Sequence, residues 1–221
     1  MMKLNYPLFD EPIELGAMTV LSIEETKAFR RFAEDFYCYE EGGRIKLFDE
    51  NLNNRSKISI RIIGDVLEHD PSSTTVLKHI YEDLTAQLNA IPEKRMELER
   101  LILQMADLFQ HELLEHELHL TMEEASPEKL YKAFGIKVEV KTNAFCEKIY
   151  EIVDIYNYLD KRNILVFINA LAYLDEKEIK SLREYMALSR VQALFIEPGS
   201  QRKQADYYLD SDFYLHKNMI K

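Results

Sequence analysis

Glycine is scarce in this chain: six in 221 residues, at positions 16, 42, 43, 64, 135 and 199. A phosphate-cradling loop needs glycines so that backbone N–H groups can approach the ligand, followed by Lys and then Ser or Thr. None of the six opens a G-x-x-x-x-G-K-[ST] pattern, which removes the usual nucleotide loop. Cysteine is scarcer. Cys38 and Cys146 stand far apart, so neither a paired metal motif nor a disulfide framework is available, and both are expected to be reduced core thiols of a cytoplasmic protein. No run of about 18 apolar residues exists, so neither a membrane span nor a membrane partner is expected. The start, Met1 to Pro7, has none of the apolar stretch of a secretion signal. Internal repeats and low-complexity linkers are missing as well. Positive charge is in the minority, with 28 Lys and Arg against 39 Asp and Glu and a net charge of −11. Indiscriminate binding to polyanions is thereby disfavoured, unless the basic groups collect on one surface.

What is present is a regular alternation of elements. Thr19 to Ile23 reads as a strand, and 24–38 as a helix with Phe29, Phe32, Ala33 and Phe36 at helical spacing. Lys57 to Ile63 alternates, with Ile58, Ile60 and Ile62 on one side and Lys57, Ser59 and Arg61 on the other, which predicts a strand with one buried face. After the turn Asp70-Pro71-Ser72-Ser73, a helix carries Leu77, Ile80, Tyr81, Leu84 and Leu88 on one stripe. Pro92 opens the next helix, in which Leu98, Leu101, Met105 and Leu108 form a short heptad-like seam. Ser126 caps a short helix that begins at Pro127 and stops at Gly135. A helix follows over 144–159. Ile164 to Ile168 and Val191 to Ile196 are apolar on both faces, as suits the middle of a parallel sheet, and Asp175 with Glu178 predicts a capping box for the helix between them. The fold expected is α/β. A head with a mainly parallel sheet draws on 1–71 and 142–221, and a mainly helical leg, 72–141, is inserted.

The chemistry-bearing residues are few. His111-Glu112-Leu113-Leu114-Glu115 misses the H-E-x-x-H zinc pattern because residue 115 is Glu, and His116 and His119 complete no zinc-hydrolase set. The strand 164–168 resembles a Walker B strand but ends in Asn169; with Glu197 this residue is placed at the carboxyl edge of the sheet, where ligands often bind. No Ser-His-Asp or Cys-His arrangement is present. The segment 112–128 holds Glu112, Glu115, Glu117, Glu123, Glu124 and Glu128 and no Lys or Arg. Calcium takes six to eight oxygen ligands of this kind, although a solvated acidic face satisfies the same pattern. The stretch 51–64 is the complement. It has Arg55, Lys57 and Arg61 at one parity, with Arg44 and Lys46 just before, a candidate surface for backbone phosphates and equally an ordinary exposed sheet edge. No base-reading module appears, so DNA binding is expected to be independent of sequence.

Together these segments resemble the Csn-two family of CRISPR-associated proteins of type II-A systems. The resemblance runs through Leu8-Phe9-Asp10-Glu11-Pro12-Ile13, Lys46-Leu47-Phe48-Asp49, Leu77-Lys78-His79-Ile80, Glu112 to Leu118, Ala133 to Glu139, Ile164 to Asn169, Leu194 to Pro198 and Tyr208-Leu209-Asp210. It implies a head related to nucleotide-hydrolysing folds without the phosphate loop, and a homotetrameric ring that threads the ends of linear double-stranded DNA. It implies calcium as the bound cofactor, with Glu115, Glu117 and Glu123 as ligands and Glu124, Glu128 and Glu139 as further ones. It implies partnership with the CRISPR integrase pair and the RNA-guided effector nuclease in spacer acquisition, and no enzymatic activity. His119 stands where family members often carry an acid, which weakens one ion position. Two other functions remain open: a protein–protein adaptor of the adaptation complex, and a cryptic nucleotide-dependent enzyme using Asn169 and Glu197.

Overall fold

The computed structural model describes residues 2–40, 43–48, 59–140, 142–159 and 163–218. The chain divides into two compact units, one formed by Met1–His69 with Lys141–Lys221 and the other by Asp70–Val140.

The first unit begins with two short strands, β1 (Met2–Asn5) and β2 (Ile13–Leu15), then β3 (Met18–Ile23) and helix α1 (Thr26–Tyr37). Strands β4 (Lys46–Phe48) and β5 (Ser59–Ile63) follow. The six-stranded main sheet has the order β5-β6-β7-β3-β8-β9, where β6 is Asn163–Ile168, β7 Gln192–Pro198, β8 Tyr207–Leu209 and β9 Leu215–Lys217. Its first five strands are parallel and only the β8–β9 hairpin is antiparallel. A separate antiparallel sheet has the order β2-β1-β4.

The sheet is covered on both faces, which explains why β6 and β7 carry no polar alternation. On one face lie α5 (Phe145–Leu159) and α6 (Glu176–Leu188). Ile149, Ile152 and Val153 of the former and Ile179, Leu182 and Met186 of the latter pack with Leu165, Phe167 and Phe195. Phe167 and Phe195, neighbours in the parallel register, stack with ring centroids 4.6 Å apart. On the other face, Phe32 and Phe36 of α1 and Leu4, Ile13, Leu15 and Leu47 of the small sheet cover Ile164, Val166, Leu194 and Ile196. The expected capping box is formed: the Asp175 carboxylate accepts from the N–H groups of Lys177 and Glu178, and the Glu178 carboxylate accepts from the Asp175 N–H.

Two expectations are corrected here. β5 buries both faces rather than one. Ile60 and Ile62 pack with α1's cluster, while Ile63, of the same parity as Arg61, belongs to the α5–α6 cluster at 3% exposure. Alternation in the sequence records polarity, and a long-range helix covered the face that looked exposed. Neither cysteine is a core thiol: Cys38 is exposed at the C-cap of α1 and Cys146 is half-buried on α5, and both are free.

The second unit contains α2 (Thr74–Asn89), α3 (Pro92–Leu114) and α4 (Pro127–Ala133). Ser126 accepts the Lys129 N–H, and the other end of α4 closes as a Schellman turn. In that turn Gly135 (φ +66°) donates to the Lys132 carbonyl and Ile136 donates to the Tyr131 carbonyl, each at 3.0 Å. The unit has very little core of its own. Val76 is its single buried large apolar side chain, and α3 buries none over 23 residues. Of the predicted seam Leu98 is half-buried, while Leu101, Met105 and Leu108 are exposed.

Candidate nucleic-acid interface and metal centre

The basic residues occupy three different settings. Arg44, in the loop before β4, places Nε 3.6 Å from Asp35 and its guanidinium 5.6 Å from the Tyr6 ring centroid, while the Tyr6 hydroxyl donates to the same Asp35 at 2.6 Å. Part of its charge is therefore already neutralised. Lys46 is exposed on β4, opposite Asn5 in the register. Arg61 is half-buried on β5, on the side of α5: burial raises the Tyr156 phenol, and the Arg61 charge partly offsets that rise. Arg44 and Lys46 belong to the side of the main sheet covered by the small sheet, so the structure does not bring Arg61 together with them. Arg55 and Lys57 lie outside the described residues.

The acidic residues are equally dispersed. Glu115 is the C-cap of α3 and Glu117 lies in the bend that follows, both exposed. The Glu123 carboxylate binds the Lys129 ammonium at 2.7 Å, and the same ammonium donates to the Glu124 carbonyl at 2.9 Å. That hydrogen bond and charge hold Glu123 below the usual carboxylate range. Glu128 is also held low, mainly by the Ser126 hydroxyl at the start of α4. Glu139 is exposed near the end of the unit. Among the described residues no group of three His, Cys, Asp or Glu converges on a point that could hold a metal. The donor chemistry suits calcium, and in the single chain the Lys129 ammonium holds one carboxylate oxygen of Glu123 and the backbone carbonyl of Glu124. Lys129 is the residue that counting charges over 112–128 missed by one position.

At the carboxyl edge of the main sheet, Ser22 and Glu197 are register partners on β3 and β7, and Asn169 follows β6 on the other side of β7. Glu197 is fully buried and accepts the Leu171 N–H at 3.0 Å. Burial pushes its carboxyl up to about 7, against the pull of the Leu171 and Ala170 N–H groups. Asn169 has a left-handed backbone (φ +54°) and donates its N–H to the Ile196 carbonyl at 2.8 Å. The Ser22 hydroxyl donates to the Pro198 carbonyl at 2.9 Å. At the end of β3, where a helix N-terminus could receive a phosphate, Glu25 presents its own carboxylate to the Ala28 N–H at 2.6 Å. The anion position of α1 is filled from within.

Residues 38–213 match the family described as CRISPR-associated protein (Cas_Csn2). The chain belongs to the Csn2 family. Over all 221 residues it is 36% identical to the CRISPR-associated protein Csn2 of Streptococcus agalactiae, with both chains covered completely. It is 37% identical over 214 residues to the Csn2 protein of Enterococcus faecalis, covering 97% of this chain and 98% of that one. Its fold is similar to that in the crystal structure of Stu0660 of Streptococcus thermophilus, with a TM-score of 0.59, 12% identity, and 95% and 74% of the two chains covered. Csn2 membership implies a role in CRISPR adaptation, and hence in defence. No helix among the described residues is long and apolar enough to cross a membrane.

Proposed function

We propose that this Csn2 protein binds the ends of double-stranded DNA, without sequence preference, as a homotetrameric ring during spacer acquisition. We read it as a binding protein rather than an enzyme, with a head related to nucleotide-hydrolysing folds that has lost their phosphate site. The observation that carries the assembly is the unit Asp70–Val140. One copy leaves Leu101, Met105, Leu108 and Phe109, which share one side of α3, exposed to water. Covering that face with further copies of the same chain closes a symmetric assembly. Family membership supports the DNA part of the reading. Arg44, Lys46, Arg55, Lys57 and Arg61 are the proposed phosphate contacts, with Arg61, half-buried, less available than Arg44 and Lys46. Calcium is proposed as the bound cation on the strength of the oxygen donors at Glu115, Glu117, Glu123, Glu124, Glu128 and Glu139, and it has to displace Lys129 from two of them. The integrase pair and the RNA-guided effector nuclease are the proposed working partners.

The reading as a binding protein has its own support. Glu25 fills the α1 N-terminus, and Glu197 is sealed from solvent. A gel-shift comparison of linear and covalently closed circular duplexes, with calcium and with chelator, tests the reading. A shift of linear DNA alone, lost on chelation, is expected. Equal shifts of both forms would mean an open basic surface and no ring.

A further inference from the structure

The hairpin joining β8 to β9 is held by an unusual number of bonds for its size. Asp210 Oδ1 accepts from the N–H groups of Asp212 (3.0 Å) and Tyr214 (2.8 Å), and Oδ2 lies 2.7 Å from His216 Nε2. The Ser211 N–H and the Tyr208 hydroxyl both donate to Glu24. This frame keeps Phe213 at φ +63°, a left-handed conformation that a bulky residue adopts at a cost. The frame also leaves the ring 42% exposed, and Tyr214 beside it 60% exposed. Strain spent on presenting two aromatic rings to water points to a surface that something covers.

Beside these rings is a cavity of about 340 Å³, walled by Pro12, Tyr207, Tyr214 and Leu215. Its charges do not balance. Glu14 is neutralised by Lys217 at 3.1 Å and Lys3 at 3.9 Å. Asp10 and Glu11, exposed at the rim, form no ion pair among the described residues. The Tyr207 ring is buried and already carries the Lys217 ammonium, 5.8 Å from its centroid, so the ring left open to an incoming cation is that of Tyr214.

We propose that this cavity is a docking point for an arginine or lysine side chain of a basic partner protein, with Phe213 and Tyr214 packing against the partner's apolar residues. The occupant is chosen by charge. The exposed carboxylates of Asp10 and Glu11 repel a nucleic-acid backbone, and a chain of net charge −11 is complementary to the basic proteins that process DNA. The exposed Tyr214 ring suits a guanidinium better than a bare metal ion. The inference rests on the adaptation role with its protein partners and not on the ring.

The test measures binding of the purified integrase of the same CRISPR locus to three forms of the full chain: wild type, Asp10→Lys with Glu11→Lys, and Phe213→Asn. Both acids are exposed, and Asn tolerates the left-handed turn, so both variants should fold. The double reversal should weaken integrase binding by about tenfold or more. Phe213→Asn should weaken it less, and both variants should keep wild-type assembly mass and wild-type binding to linear duplex DNA. Integrase that binds the double variant as tightly as wild type, or that ignores the wild type, overturns the proposal. If the wild type captures integrase through Asp10 and Glu11 yet fails to bind DNA ends, the ring reading falls and this one stands.

Discussion

The buried carboxylate of Glu197 on β7 takes the backbone N–H of Leu171 at 3.0 Å, at a place from which water is excluded. Burial raises its pKa from 4.5 to about 7. The folded state therefore favours the neutral acid. This contribution to stability is complete below pH 4.5 and is lost as pH rises through about 7. Glu197→Gln keeps the acceptor and removes the charge. The variant should gain roughly 3 kcal/mol over wild type by pH 8 and little at pH 4.5. Urea unfolding at the two pH values checks this; equal midpoint shifts at both would show that the fold does not raise the pKa of Glu197.

Arg183 of α6 is tied to the strand end before β8. Its guanidinium donates to both oxygens of Asp206, at 3.2 and 3.1 Å, and to the Gln204 carbonyl at 2.8 Å. Asp206 also accepts the Val20 N–H at 2.7 Å, so the pair links α6 to two neighbouring strands. Both side chains are a quarter exposed, which places the loss for Arg183→Met near 2 kcal/mol, below the range for a sealed pair. Denaturant melting of the variant against wild type measures it.

Asp175→Ala removes the acceptor for two N–H groups at the start of α6. A cost of about 1 kcal/mol is expected, and Asp175→Asn should recover most of it, because an amide oxygen still caps. Thermal melting of the two variants separates the cap from the charge.

At the proposed calcium site, Lys129→Met should tighten binding of the ion severalfold, because it frees the Glu123 carboxylate and the Glu124 carbonyl. Calorimetric titration of calcium into both proteins reads the difference. An unchanged affinity would place the ion away from Glu123.

Local signals were the legible ones. The capping box at Asp175, the cap at Ser126 and the stop at Gly135 depend on residues three or four apart, and each formed. The two-faced strands β6 and β7 announced burial through composition alone. What escaped was set by distant chain. Strands β1, β2 and β4 have three or four residues each and exist because they pair with one another, which no short window contains. The second buried face of β5 depends on α5, more than 80 residues away in the chain. The candidate site suffered in the same way: a count of glutamates gives charge density and says nothing about convergence, and Lys129, next to the counted window, took two of the oxygens. The Phe213 turn carries no sequence mark, since a phenylalanine is not the residue that a left-handed position leads one to expect.

In the proposed assembly, the helix α3, which fully buries none of its side chains within its own chain, also makes concentration a variable of this protein's behaviour. There, a surface completed by another copy would link folding to mass action, so dilution alone would lower the apparent stability of the Asp70–Val140 unit. A cell that makes few copies would hold mostly unfinished protein, and small changes in expression would be felt steeply, as the number of complete assemblies.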